Sequence, residues 1–168
     1  ENPAFPENNT TTRLPCVAGN RSFTLSAGDE VKTVYGRILD TAGNVSSVLS
    51  DTIELDTEDP TLVSIAATKT DGSNGAFSKD RDVQINLRSP IGGTSIVYRV
   101  YDASVNCPAV GSLDSTREFS SSFFVSFSSD GPKTICVAIS DDAGNTSRVR
   151  KASITVDTIA PTAPTLDP

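Results

Sequence analysis

One segment of the chain occurs twice, 101 residues apart, and the two copies align without a gap. Residues 32–61 match residues 133–162, and 14 of these 30 positions are identical. Self-similarity at a fixed spacing is the sequence signature of a protein that uses one structural unit several times. The chain is therefore expected to be a tandem repeat with a unit of about 100 residues.

Proline-containing segments mark the ends of the two copies, at Asp56–Pro60 and again at Asp157–Pro161. These positions predict three parts. Residues 1–57 correspond to the C-terminal half of a unit, residues 58–158 to a complete unit, and residues 159–168 to a linker or the start of the next unit. Two explanations of the half-unit stay open: a longer array is cut within a repeat, or another chain completes the half-unit.

Within the complete unit, apolar and polar residues alternate. Val83, Ile85 and Leu87 are separated by polar residues, and the same alternation occurs near Ile135 and Ile154. A period of two predicts strands that have one face in a core. The predicted strands lie at 61–68, 82–88, 95–102, 118–127, 132–140 and 146–156. So many short strands in one unit predict an all-β fold, an immunoglobulin-like β-sandwich.

Composition excludes several classes of function. The chain has 168 residues, 14 Lys+Arg against 21 Asp+Glu, a net charge of -7, and no His. Without His there is no Ser-His-Asp or Cys-His catalysis and no His-ligated metal site. An acidic chain without a basic cluster is not expected to bind nucleic acid. No apolar run is long enough to span a bilayer, and no signal peptide is recognisable in the sequence.

The repeated motifs resemble a known family. Asp40–Ser46 and Asp141–Ser147 share the pattern Asp-x-Ala-Gly-Asn, and Ile53–Thr57 and Ile154–Thr158 follow them in the same register. Together these segments resemble the bacterial Ig-like repeat of large secreted and cell-surface proteins of the adhesin type. The resemblance implies an extracellular location at a bacterial cell surface, with neighbouring repeats of the same protein as contacts.

The expected function is that of a non-catalytic structural or adhesive module, a stalk or an adhesin segment of a bacterial surface protein. A protein or glycan ligand outside the cell is the expected kind of partner. Two alternatives remain: a spacer or binding module of a secreted hydrolase, and a fibre subunit completed by a strand from a neighbour. An enzyme is not expected, because no nucleophile has a base near it in the sequence pattern.

Five carboxylates near the junction between the units form the candidate metal site. In the expected topology the turn after the penultimate strand lies beside the incoming linker, so the two groups of acids should meet. Ca²⁺ takes six to eight oxygen ligands in a flexible shell. The alternative is a set of solvated surface acids, and no cofactor is required by either interpretation. The residues concerned are Asp56, Glu58, Asp59, Asp141 and Asp142.

The three cysteines do not have the spacing of a zinc site. Cys136 lies in a predicted strand and Cys107 in the loop after a neighbouring strand, so a disulfide between them is predicted. Cys16 matches Cys107 in its surroundings, but Tyr35 stands where the partner of Cys16 would be. The partner of Cys16 is therefore left unassigned. Disulfides are typical of exported proteins.

Aromatic residues give little sign of a ligand site. Tyr98 and Tyr101 lie on one predicted strand, and the chain has no Trp. A sugar-stacking platform is not predicted from them, and a packing role is expected for one of the two tyrosines.

Overall fold

The computed structural model describes residues 14–16, 19–20, 22, 24–70 and 74–164. The chain divides into two compact units, Glu1–Thr57 and Glu58–Pro168. Part of the predicted half-unit, residues 1–13, and the end of the predicted third part, residues 165–168, lie outside the described residues.

The described part of the first unit contains one β-hairpin. Strand β1 (Glu30–Gly36) pairs antiparallel with β2 (Leu49–Leu55), and Glu30 lies opposite Leu55 while Gly36 lies opposite Leu49. We call these two strands, with the residues that connect them, the first hairpin.

The second unit contains eight strands in its described residues, arranged in two sheets. One sheet has five strands in the order β4-β10-β9-β6-β7, and the other has three in the order β3-β5-β8. We call β9 and β10 the second hairpin. The strands are β3 (Thr61–Thr68), β4 (Phe77–Ser78), β5 (Asp82–Ile91), β6 (Ser95–Tyr101), β7 (Ser115–Glu118), β8 (Ser122–Ser126), β9 (Gly131–Ser140) and β10 (Arg150–Val156), with a short 3-10 helix at Val110–Ser112.

The two sheets of the second unit enclose one apolar core, so this unit is an immunoglobulin-like β-sandwich, and the predicted fold class is confirmed. The predicted alternation produces this core because successive side chains of a strand point to opposite faces. Val83, Ile85 and Leu87 of β5 are buried, whereas Gln84 and Asn86 between them are only partly covered. Across the sandwich the core is completed by residues such as Ile135, Val137, Ile139, Ile154 and Val156.

Strand β9 departs from the alternation that its sequence suggests. All seven residues from 133 to 139 are buried, including Thr134, Cys136 and Ala138, which point away from the core. The second covering comes from the loop after β6, where the Val105 amide donates to the Thr134 hydroxyl at 3.2 Å. A strand covered on both faces loses the alternation between buried and exposed residues.

Two predicted strands differ most from the structure, and β5 runs to Ile91, three residues beyond its predicted end. Of the predicted strand 118–127, Glu118 is the last residue of β7 and residues 122–126 form β8. Residues 119–121 leave the sheet, and the Ser120 hydroxyl donates to the Ser122 carbonyl at 2.6 Å. The predicted strand 146–156 starts at Arg150, and Thr146 makes only an isolated bridge to Ser140. Side chains of Ser and Thr that bond to nearby backbone compete with sheet pairing in this way.

No helix in the described residues is both long and apolar enough to cross a membrane.

Candidate functional site

A disulfide fastens the loop after β6 to the outer face of the five-stranded sheet. Cys107 and Cys136 are bonded, with 5.6 Å between their Cα atoms and a sequence separation of 29. The predicted pairing is therefore present. It was predictable because β6 and β9 are neighbours, with Arg99 opposite Cys136, and Cys107 lies a few residues after β6.

Polar contacts fix the same loop along its length, and we call residues 102–114 the stapled loop. The Lys151 ammonium donates to the Val105 carbonyl, and the Arg99 guanidinium donates to the Ser112 carbonyl at 3.2 Å and lies 3.4 Å from the Asp114 carboxylate. These bonds come from β6 and β10, so the loop crosses the outer face of the sheet rather than extending into solvent.

The turn after β9 is organised by a carboxylate. Asp141 Oδ1 accepts the backbone N–H groups of Gly144 at 2.8 Å and Asn145 at 2.9 Å, and Oδ2 accepts the Asn145 amide at 3.0 Å. Gly144 has a positive φ of 95°, which glycine adopts without steric cost. The Asp-x-Ala-Gly-Asn motif thus has a local structural role: its first residue caps the turn that its last residues form.

These bonds determine the ionisation of Asp141. Partial burial raises the pKa of this carboxyl, but the hydrogen bonds from the Asn145 side chain and from the Asn145 and Gly144 backbones outweigh it, and the net pKa is lowered. A carboxylate that accepts several N–H groups is stabilised in its charged form. Asp141 is therefore ionised at neutral pH and already bonded within its own turn.

The start of β3 and the turn after β9 lie at the same end of the second unit. Thr61 pairs with Ile91 at the end of β5, and the Thr94 amide, three residues later, donates to the Ser140 carbonyl at 2.8 Å. A Cβ at Gly92 would lie 3.7 Å from Pro60. Glu58 and Asp59 lie shortly before β3, and Asp141 and Asp142 lie directly after β9. These four acids therefore belong to one end of the sandwich.

The calcium site stays a prediction. Asp56 belongs to the first unit and the other four predicted ligands to the second. Within the described ranges, no three Asp, Glu, Cys or His side chains are grouped so that they could hold a metal ion. Thermal unfolding with Ca²⁺ and with excess chelator decides the question, because a ligand of the native state raises its stability.

The remaining residues considered in the sequence analysis are Cys16, Tyr98 and Tyr101. Cys16 is exposed and is not in a disulfide. Tyr98 packs against the core, with its ring centroid 5.2 Å from that of Phe123, as expected for one of the tyrosines. Tyr101 instead lies under the Arg99 guanidinium, at 5.3 Å.

A buried lysine was not singled out by the sequence reasoning. Lys133 is 1% exposed, and its ammonium donates to the Asp102 carboxylate at 2.7 Å, to the Ser129 hydroxyl at 3.0 Å and to the Asp130 carbonyl at 3.4 Å. The hydrogen bond from Lys133 lowers the pKa of Asp102, with smaller effects from other partners. The available signal was the repeat itself, because a Lys occupies this position in both copies.

A polar cleft lies on the outer face of the three-stranded sheet. Its volume is about 390 Å³, and it was also missed, because the alternation was used only to identify the face of each strand that lies in the core. Its polar lining includes three successive outward positions of β5. The lining side chains are those of Thr68, Asn74, Gln84, Asn86, Leu87, Arg88, Ser121 and Ser122.

Comparisons with known proteins give a likeness in fold alone. No family model matches the chain, and no curated protein matches it. Two solved structures, titled "Crystal Structure of FN3tt" and "Structure of FN3tt mut", are similar with a TM-score of 0.41 and 13% identity. The match covers 58% of this chain and 92% and 98% of those chains, respectively.

Proposed function

We propose that this chain is a non-catalytic structural and adhesive module of a bacterial surface or secreted protein. The observation that carries the proposal is the Cys107–Cys136 disulfide in a β-sandwich. Disulfides persist in oxidising compartments and are rare in the cytosol. Rigid sandwiches of this kind serve as spacers, and loops fastened to them serve as contact surfaces.

The repeated hairpin supports the same role. The first hairpin and the second hairpin have the same register 101 residues apart, since Glu30 lies opposite Leu55 and Gly131 lies opposite Val156. A module that occurs more than once lengthens the chain, and this role requires no catalytic activity. Neither a cofactor nor a catalytic group is needed for such work.

The exposed cysteine provides the test of location. Intact cells of the source are treated with a membrane-impermeant maleimide, and the protein is then isolated and its labelled cysteines are found by mass spectrometry. We expect Cys16 to be labelled, and Cys107 and Cys136 to react only after reduction. A protein whose three cysteines are all unlabelled in intact cells but all reactive after lysis, without reduction, would contradict the proposal.

A second candidate, a fibre completed by a neighbouring chain, is favoured by one observation. Ile38 and Ile53 of the first unit are 61% and 53% exposed, whereas their counterparts Ile139 and Ile154 are 0% and 3% exposed. Large exposed apolar surfaces mark interaction sites. Light scattering coupled to size-exclusion chromatography distinguishes the two roles: a series of oligomers that grows with concentration supports the fibre, and a monomer over the same range rejects it.

A further inference from the structure

The two outer faces of the sandwich differ in their covering. The stapled loop lies over the outer face of the five-stranded sheet, where Thr134, Cys136 and Lys151 contact it. The outer face of the three-stranded sheet instead carries the polar cleft. Among the described residues of the second unit, no disulfide or loop is fastened across this face as the stapled loop is across the other.

The middle strand of this sheet presents a row of hydrogen-bonding groups. Gln84, Asn86 and Arg88 point outward because the alternate residues Val83, Ile85 and Leu87 fill the core. The Asn86 amide donates to the Thr68 hydroxyl at 3.0 Å, which fixes its orientation. In the part of the chain that the structure describes, the side chains of Gln84 and Arg88 have no hydrogen-bond or ion-pair partner.

An exposed aromatic ring stands at one end of the row. Phe124 of β8 lies directly opposite Gln84 and is 54% exposed, while Ser122 lies opposite Asn86. Side chains opposite each other in an antiparallel pair are on the same face of the sheet. The ring of Phe124 therefore lies beside the amide of Gln84, on the outer face.

The dimensions of the row limit the ligand. Arg88 lies four residue steps from Gln84, which is about 13 Å along β5. An amide is both donor and acceptor, as a sugar hydroxyl is, and an aromatic face packs against the C–H groups of a sugar ring. A guanidinium binds a carboxylate in bidentate geometry. None of the cleft-lining side chains in the described residues is acidic, and Asp82, the next outward residue of β5 beyond Gln84, accepts the Ser126 hydroxyl.

We propose that the Gln84–Asn86–Arg88 row and Phe124 form a binding site for a short acidic oligosaccharide. One sugar ring stacks on Phe124, hydroxyl groups bond to Gln84 and Asn86, and a carboxylate of a further sugar pairs with Arg88. This inference names a ligand class for the adhesive role proposed above, and it rests on that role only for the cell-surface source of the glycan.

Two linear tetrasaccharides with the same linkage test the proposal. The full chain is titrated with α-1,4-linked tetragalacturonate and, separately, with maltotetraose, at equal ionic strength, and binding is followed by amide chemical shifts. We expect tetragalacturonate to bind at least about tenfold more tightly, because a charge-assisted bond is stronger than a neutral one. The shifts should centre on residues 84–88 and 122–124.

Variants separate the two contacts. Arg88→Gln should remove the preference for the acidic sugar and leave binding of maltotetraose unchanged, whereas Phe124→Leu should weaken both by about tenfold. Phe77→Leu is the matched control, because Phe77 is 62% exposed on β4, in the other sheet, and should have no effect. The unfolding midpoint of each variant shows that the fold is kept.

Three other results would each contradict the proposed site. Absence of shifts with either sugar at millimolar concentration rejects it, equal binding of the two sugars rejects the acidic class, and binding that Phe124→Leu and Arg88→Gln leave intact rejects the location. The labelling of Cys16 in intact cells is independent of all three outcomes, so failure of the site and failure of the proposed location are distinguishable.

Discussion

The first and second hairpins have the same hydrogen bonds in different surroundings. In the first, the Asp40 amide donates to the Asn44 carbonyl at 3.0 Å, and in the second the Asp141 amide donates to the Asn145 carbonyl at 3.2 Å. The ends match as well, because Thr57 bonds to Asp29 as Thr158 bonds to Asp130. Identical local sequence thus gives identical local geometry.

Burial is where the two hairpins differ. The second hairpin supplies the middle of a core, whereas the apolar side chains of the first hairpin are mostly exposed. Residues that are identical in the two copies, such as Ile38 and Ile139, therefore have different energetic roles. Among the described residues, the motif therefore has the same turn geometry where its apolar side chains are exposed as where they are buried in a core.

The disulfide is a second difference, because Tyr35 stands in the first hairpin at the position where Cys136 stands in the second. Reduction, or the double change Cys107→Ser with Cys136→Ser, should lower the free energy of unfolding of the second unit by about 3–4 kcal/mol, because the bond closes a long loop. Urea unfolding followed by circular dichroism measures the change. Cys16→Ser is the control and should have no effect, and a reduced protein as stable as the oxidised one would contradict this reasoning.

A matched pair of isoleucines tests the role of burial. Ile139→Ala should cost about 3 kcal/mol, because it leaves a cavity in the core. Ile38→Ala, at the same position of the first hairpin, should cost less than about 0.5 kcal/mol, as expected for an exposed residue. Denaturant unfolding with amide hydrogen exchange resolves the two units, and equal costs would show that the face of the first hairpin is covered in solution.

A matched pair of serines gives a smaller effect. The Ser147 hydroxyl is buried and accepts the Ile139 amide at 3.0 Å, while the Ser46 hydroxyl is exposed and accepts the Ile38 amide at 2.9 Å. Ser147→Ala should cost about 1–2 kcal/mol, because it leaves a buried N–H without a partner. Ser46→Ala should cost less than about 0.5 kcal/mol, because water replaces the hydroxyl. The same unfolding experiment measures both, and a cost for Ser46→Ala as large as that for Ser147→Ala would refute the argument from burial.

Acid should weaken both turns in the same pH range. The pKa of Asp40 is lowered, first by the hydrogen bond from the Asn44 side chain and then by that from the Asn44 backbone, and the pKa of Asp141 is lowered in net as described above. A carboxyl whose pKa is lowered by folding stabilises the protein at pH values above its unfolded-state pKa. This stability is lost as the pH falls through the folded-state pKa, that is, below about pH 4.

The variants Asp40→Asn and Asp141→Asn check this prediction. Each should reduce the dependence of hydrogen exchange on pH between about 4 and 2 in its own turn and leave the other turn unchanged. A pH profile that neither variant alters would assign the acid sensitivity to other carboxylates.

The sequence predicted the structure correctly where the local pattern of residues agrees with the long-range packing. Alternation in β5 predicted its buried face, and the position of Cys107 after β6 predicted its bond to Cys136. The sequence did not predict strand bounds where a side chain interrupts the alternating pattern. Ser120 bonds to its neighbour and divides one predicted strand into two, and β4, with two residues, is too short to have a period.

The candidate sites show the same limit. Asp141 was selected for its charge, but hydrogen bonds within its own turn already engage both of its oxygens. The polar cleft was overlooked, because alternation shows that Gln84 and Arg88 face outward but not that Phe124 stands beside them. That juxtaposition depends on the register between β5 and β8, which no local pattern contains.

The disulfide also determines how this domain responds to a pulling force. Cys107 and Cys136 are 29 residues apart, and tension on the chain ends passes through the sulfur–sulfur bond instead of along the residues between them. At a fully extended length of about 3.4 Å per residue, about 100 Å of backbone is withheld from extension even after the strands separate. Strands β7 and β8 lie within this segment and carry no load while the bond is intact. A reducing agent would therefore release an additional length of chain in a single step.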